Sequence, residues 1–164
     1  MKIHTAHCQS PIGTVEIKGT REKIVALNFV DQPQPGAVEL PEVLKECVRQ
    51  LGEYFGGQRK TFSVNLGLQG TEFQNSVWRR LVKIPYGRTL SYGEFAAAIG
   101  KPAACRAVGN ANGKNKIVIV VPCHRVIGSD GELVGFASGL VRKRYLISLE
   151  QSYAELGAFD SEQK

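Results

Sequence analysis

No apolar run in this chain approaches the length a membrane-spanning helix needs, and no two of its four cysteines stand at C-x-x-C spacing. The first absence excludes a helical membrane protein. The second excludes zinc-ribbon and thioredoxin-type readings. The start, Met1-Lys2-Ile3-His4-Thr5, lacks the apolar stretch of a secretory signal. Cys8, Cys47, Cys105 and Cys123 are therefore expected to be free thiols in a reduced, cytoplasmic protein. Cys8 and Cys47 read as core or surface residues without chemistry, since a free cysteine behaves as a small hydrophobe, and Cys105 reads as helix packing. His4, His7 and Cys8 crowd one end of the chain without a matching partner set. No metal and no small-molecule cofactor are expected, and no internal repeat is visible.

What is present is an ordinary globular composition, 164 residues with 43% hydrophobic content, and a net charge of +6. That charge is uneven. Residues 1–70 hold 8 Lys/Arg against 7 Asp/Glu, residues 71–150 hold 12 against 5, and residues 151–164 hold 1 against 3. The positive excess lies in the stretch that contains Cys123. A basic domain points to an anionic partner, of which nucleic acid is the commonest. A basic solvated surface without a partner is the plain alternative.

The first half reads as a small α/β domain with an antiparallel sheet. Thr14–Lys18 alternates as a strand, Lys23–Val30 is a second strand, and Gly19–Glu22 suits the hairpin between them. Pro41 opens a helix in which Leu44, Cys47, Val48, Leu51, Tyr54 and Phe55 recur at helical spacing, ended by Gly56-Gly57. Thr61–Leu66 is expected as a third strand, and residues 67–70 as a linker. The second half, 71–164, reads as mainly helical. Thr71 and Gln74 form a capping box ahead of Phe73, Val77, Leu81 and Val82. Ser91 and Glu94 form another, ahead of a short helix stopped by Gly100. Pro102 then opens a helix running to about Asn112. These two short helices predict a helix-turn-helix unit whose second helix carries Ala103, Ala104, Ala107, Gly109 and Ala111 around Arg106. Small side chains let a helix approach another surface closely, whether a neighbouring helix or a ligand. The last helix is expected to start near Ser138, with Val141, Tyr145 and Leu149 on one face and Glu150 at its C-terminal end. The tail from Gly157 is expected to fray.

Ile117-Val118-Ile119-Val120-Val121 predicts a buried strand, and it leads straight into Pro122-Cys123-His124-Arg125-Val126. A thiol acts as a nucleophile only as a thiolate, and a cationic or basic neighbour lowers its pKa. Cys123 beside His124 and Arg125 is therefore the first candidate for chemistry.

Ser91-Tyr92, Arg106-Ala107-Val108-Gly109, Asn115, Pro122-Cys123-His124-Arg125-Val126 and Glu150, in this order and spacing, resemble the O6-alkylguanine-DNA alkyltransferases. The resemblance covers Phe73–Glu150 closely. It covers residues 1–70 in general plan only, as that family's ribonuclease-H-like N-terminal domain. It implies a winged helix-turn-helix-like C-terminal domain in a DNA repair protein. The partner implied is double-stranded DNA containing O6-alkylguanine, with O4-alkylthymine left open. The protein would be a monomer, with cooperative binding on DNA left open. Cys123 would accept the alkyl group once and irreversibly. His124 would activate it through a water, and Glu150 would orient His124. Tyr92 would meet the phosphate of the flipped nucleotide and help neutralise the departing guanine. Arg106 would enter the base stack in its place. Asn115 would brace the two helices. The carbonyls of Cys123 and Val126 would receive the guanine amine, and the backbone N–H of Ala137 would meet O6. Ser138 would narrow the pocket or cap the last helix, and Arg125 would tie the site to nearby carbonyls.

Three other classes compete. A non-catalytic alkyltransferase-like lesion binder would lack the reactive cysteine, which this chain has. A cysteine hydrolase with a Cys-His-Glu triad would need an oxyanion hole and no DNA-binding helix. A helix-turn-helix regulator would read bases with polar side chains, where this helix offers alanine and glycine.

Overall fold

The structure, a computed structural model, describes residues 1–33 and 35–162, with side chains described through Glu155. The chain divides into two compact units. One comprises residues 1–69 with 116–120, and the other residues 70–115 with 121–164.

The first unit is built on a three-stranded antiparallel sheet in the order β1-β2-β3, formed by His4–Ser10, Gly13–Gly19 and Ile24–Val30. Alternation sends Ala6, Cys8, Val15, Ile17 and Leu27 to one face, where they are buried, and a register shift at Lys18 and Gly19 lets Ile24, an odd number of residues from Leu27, be buried as well. Helix α1, Glu42–Phe55, supplies Leu44, Cys47, Leu51 and Tyr54 to that unit's core, as its spacing predicts. The edge strand β1 carries little strand signal, because its inward residues are only the small Ala6 and Cys8, and Pro11-Ile12 joins it to β2. Thr61–Leu66 is not a strand. It makes a single parallel bridge, Leu66 to Ile24, held by Ile24 N–H to Asn65 O and Gly67 N–H to Ile24 O at 2.8 Å each.

The second unit holds α2 (Glu72–Leu81), β4 (Leu90–Ser91), α3 (Tyr92–Ala98), α4 (Cys105–Gly113), β5 (Val126–Ile127) and α5 (Leu140–Glu162). Of its two expected capping boxes, the first forms in full and the second in its Ser91 half only. Thr71 Oγ1 accepts from Gln74 N–H at 3.1 Å, and Gln74 Oε1 accepts from Thr71 N–H at 3.0 Å. Ser91 Oγ accepts from Glu94 N–H at 3.0 Å. Gly100, with φ +76°, ends α3. A 3₁₀ turn at Pro102–Ala104 leads into α4. Val77, Trp78 and Leu81 of α2, Phe95 of α3, Val108 and Ala111 of α4 and Leu146 of α5 are buried. The Trp78 indole N–H donates to Ala111 O at 2.8 Å.

The run Ile117–Val121 is buried but is not a strand. Only Ile117 pairs, with Leu27. Ile119 has φ +72°, and Val120 N–H closes back on Val118 O at 2.8 Å, a tight γ-turn. A β-branched residue in this region carries strain of about 1–3 kcal/mol. Pro122, with φ −81° and ψ 65°, then forms an inverse γ-turn closed by Cys123 N–H to Val121 O at 2.8 Å. Two turns in six residues, rather than a straight ribbon, deliver Cys123.

Helix α5 also departs from expectation. Its buried face is Lys143, Leu146 and Glu150, while Val141 is 82% exposed. Two charged side chains occupy the inward positions because partners wait for them there. Glu150 sits within the helix, whose backbone continues through Glu162. The fraying expected from Gly157 concerns residues whose side chains lie outside those described. Among the described residues, no helix is long and apolar enough to cross a membrane.

Candidate active site

Cys123, His124 and Arg125 form one 3₁₀ turn, and all three are buried. Opposite them stands α5. Leu140–Glu162 is helical, so Lys143 and Glu150, seven residues apart, share one face two turns apart. Glu150 Oε2 accepts from His124 Nε2, and its Oε1 accepts from Arg125 Nε at 2.6 Å. Arg125 also donates to Ile84 O at 2.6 Å. The carboxylate is thus held from two sides by residues of a single turn.

This pairing sets the charges. Burial disfavours ionised Glu150, yet His124 and Arg125 together outweigh it and hold the carboxyl down at about 2. Burial also pushes the His124 imidazole down, with the charges of Arg125 and Lys143 adding and Glu150 opposing. The two tendencies are reconciled if Arg125 supplies the positive charge and a neutral His124 donates its Nε2–H. The other nitrogen, Nδ1, is buried without a hydrogen-bond partner. A neutral imidazole with one nitrogen fixed as donor presents the other as a free base.

The thiol itself differs from expectation. Burial pushes Cys123 up to about 11, against the lowering influence of a hydrogen bond from Asn115 and the charge of Lys143. At neutral pH the resting sulfur is therefore protonated. Enclosure outweighs the basic neighbours. The sulfur must lose its proton when it reacts.

Asn115 is 7% exposed and donates to Val121 O at 2.7 Å. It holds the thiol-bearing turn, which is a different contact from a brace between helices. Tyr92 is half-buried at the start of α3, and its hydroxyl donates to Val134 O at 3.3 Å. Val134 belongs to the loop 128–139, which also carries Ala137, exposed, and Ser138, partly exposed. Ser138 precedes α5, and its carbonyl accepts from Arg142 at 3.2 Å. Arg106 is exposed on α4, alongside Ala103 and Ala107. Cys105 is exposed as well, so it is not a packing residue. Consecutive positions on a short helix cannot all face inward, and Val108 and Ala111 take the buried side.

Two residues were not anticipated. Lys143 is buried and donates to Val126 O at 2.7 Å and to Val134 O at 2.8 Å. Asn112, 2% exposed, donates to Cys123 O at 3.3 Å and to Tyr92 Oη at 3.4 Å. The two carbonyls expected to receive a guanine amine thus already carry internal donors. The seven-residue spacing to Glu150 was a usable signal for Lys143. Nothing in the local sequence marked Asn112. Among the described residues, no group of His, Cys, Asp and Glu could hold a metal ion.

A buried cysteine next in sequence to a histidine with an unpartnered ring nitrogen, in a unit whose helix-turn-helix exposes an arginine among alanines, fits a nucleophilic-cysteine protein of the nucleic-acid-binding class. Two family models match the chain. The DNA-binding domain of 6-O-methylguanine DNA methyltransferase matches residues 72–152, and that family's ribonuclease-like domain matches residues 3–68. The chain belongs to the 6-O-methylguanine DNA methyltransferase family. It is 49% identical to the methylated-DNA–protein-cysteine methyltransferase of Mycolicibacterium paratuberculosis over 157 residues, covering 92% of this chain and 95% of that protein. It is likewise 49% identical to the Methanosarcina acetivorans protein of the same name over 149 residues, covering 88% and 96%. Among solved structures, the Mycobacterium tuberculosis O6-methylguanine methyltransferase superposes with a TM-score of 0.84 at 44% identity, covering 96% of this chain and 99% of that one. Mycobacterium tuberculosis OGT in complex with DNA gives 0.81 at 45% identity, covering 92% and 93%.

Proposed function

We propose that this protein repairs DNA by taking the alkyl group of O6-alkylguanine onto Cys123, once per molecule. The observation that carries this reading is the His124 imidazole, buried, anchored through Nε2 to Glu150 and with Nδ1 unpartnered. It stands one residue from a buried thiol that is protonated at rest. His124 Nδ1 takes the proton of Cys123, directly or through one water, as sulfur attacks the alkyl carbon. The carbon–O6 bond breaks and its electron pair leaves with guanine. The thioether that forms has no ready reverse reaction, so the protein is consumed. Glu150 orients the imidazole, and Arg125 keeps Glu150 ionised. Asn115 holds the turn that carries the sulfur.

Sulfur buried in the protein can meet a base only if that base leaves the duplex. Arg106, exposed on α4, fills the gap in the stack, and the small residues beside it permit close approach. In this reading Tyr92 protonates the departing base, and the backbones of Val126, Ala137 and Ser138 receive it. The partner is double-stranded DNA, bound by one monomer per lesion, and the work is done in the cytoplasm on the chromosome.

Incubation with a duplex carrying O6-methylguanine is expected to add one methyl group per molecule, located on Cys123 by peptide mass mapping. Cys123→Ala is expected to gain none and still bind the duplex. Repeated turnover would favour the hydrolase instead, and binding without mass gain the alkyltransferase-like reading. Arg106→Ala is expected to slow reaction with the duplex by about tenfold or more, because base extrusion costs a few kcal/mol. Its reaction with the free alkylated base should stay within about twofold of the parent by the same argument. Equal losses on the two substrates would remove Arg106 from extrusion.

A further inference from the structure

Asn112 has no part in the reaction as derived so far, yet it touches two of the groups that do. It lies near the end of α4, on the opposite side from the exposed Arg106. Its Nδ2 divides between Tyr92 Oη at 3.4 Å and Cys123 O at 3.3 Å. Its Oδ1 is buried with no partner. Buried polar atoms are nearly always paired in a finished fold, and an unpaired one inside a site marks a network that a ligand or water completes.

We infer that Asn112 is the positioning residue that presents the Tyr92 hydroxyl as proton donor to the departing guanine. This rests on the alkyl-transfer reading of Cys123. An amide N–H can only donate, so Tyr92 oxygen is the acceptor in this pair. The phenol proton must then point elsewhere. It goes to Val134 O, on the exposed stretch of the 128–139 loop, through a long 3.3 Å bond. A base entering the pocket offers a better acceptor, and the same proton can turn to it. The Cys123 carbonyl already receives Val126 N–H as well as Asn112. A guanine amine that takes over this carbonyl leaves the Asn112 donor to Tyr92 alone. Burial makes Tyr92 reluctant to release its proton, and the bond from Asn112 works in the opposite sense.

The proton count closes. Sulfur bonds to the alkyl carbon as the carbon–O6 bond breaks, and the bonding pair passes into the purine. Tyr92 gives its proton to the ring nitrogen that becomes basic. The proton that Cys123 lost to His124 returns to the Tyr92 oxygen through solvent. The net change is one proton moved from sulfur to guanine.

A double-mutant cycle tests this, with single-turnover methyl transfer from an O6-methylguanine duplex as the readout. Asn112→Leu is expected to lower the rate by about tenfold, the worth of one hydrogen bond to a group that becomes charged. In the Tyr92→Phe background the same substitution should cost no more than about twofold, because its effect passes through the missing hydroxyl. A residue that merely supported the fold would cost the same in both backgrounds, and equal losses overturn the inference. A second readout uses a duplex in which the ring nitrogen N3 of O6-methylguanine is replaced by carbon. The parent protein should slow markedly on it, and Asn112→Leu should slow little further. If Asn112→Leu does not fold, Asn112→Asp has the same size and offers an acceptor in place of the donor. It is expected to show the same coupling to Tyr92. A parent protein that transfers no methyl group at all overturns the alkyl-transfer reading itself.

Discussion

His124→Gln is expected to slow methyl transfer to Cys123 by about 100-fold to 10,000-fold at pH 7, the range over which a positioned general base acts. Glutamine keeps an N–H that can reach Glu150 but has no basic nitrogen to offer the thiol. The choice therefore separates the base from the brace. The stronger signature is the shape of the pH profile. The parent protein should react at a nearly constant rate above the His124 pKa, which burial holds below its ordinary value, and slow as acid protonates Nδ1. The variant must rely on thiolate already present. With Cys123 at about 11, its log rate should climb by roughly one unit per pH unit between pH 7 and 10. Single-turnover quench measurements across that range would show it. A variant that is flat with pH and within a few-fold of the parent would remove His124 as the base.

Glu150→Leu is expected to destabilise the fold by about 3–5 kcal/mol, the usual result of deleting one partner of a buried ion pair. The Arg125 guanidinium would keep Ile84 O and lose the carboxylate that balances its charge. His124 would lose its anchor, so transfer should fall as well. Thermal unfolding is the measurement, with a drop of roughly 10 °C expected for a chain of this size. The pH dependence has a definite sign. Glu150 is held at about 2 in the folded state, against an ordinary value of 4.5. Its contribution is fully present above about pH 4.5 and is lost as pH falls through that window towards 2. The parent protein should lose stability on acidification there, and Glu150→Leu should lose less over the same window. An unchanged melting temperature would show that Arg125 and His124 find other partners.

Local rules were legible wherever the chain obeys them. Thr71 with Gln74, Ser91 with Glu94, and Gly100 each mark a helix end through hydrogen bonds or backbone freedom that involve only near neighbours. The spacing of Leu44, Cys47, Leu51 and Tyr54 identified the buried face of α1. The same logic failed at Ile117–Val121, where composition favours a strand but Ile119 turns left-handed and Pro122 closes a second γ-turn. It failed again on α5, where Lys143 and Glu150 occupy inward positions that periodicity reserves for apolar residues. In both places a contact distant in sequence overrode local preference, and both places border Cys123.

By itself, the sequence determined the two-part architecture, the helix-turn-helix and the identity of the candidate nucleophile with its histidine. Residue types and short spacings carry those facts, because caps, amphipathic faces and a Cys-His pair need nothing beyond their own segment. Only the tertiary structure decided that the thiol is protonated at rest, that Arg125 and His124 share Glu150, and that Asn112 links Tyr92 to the Cys123 carbonyl. These depend on enclosure and on partners brought together from α4, α5 and the Cys123 turn. Desolvation and hydrogen-bond partnership are properties of the folded surroundings, and no single stretch of chain contains them.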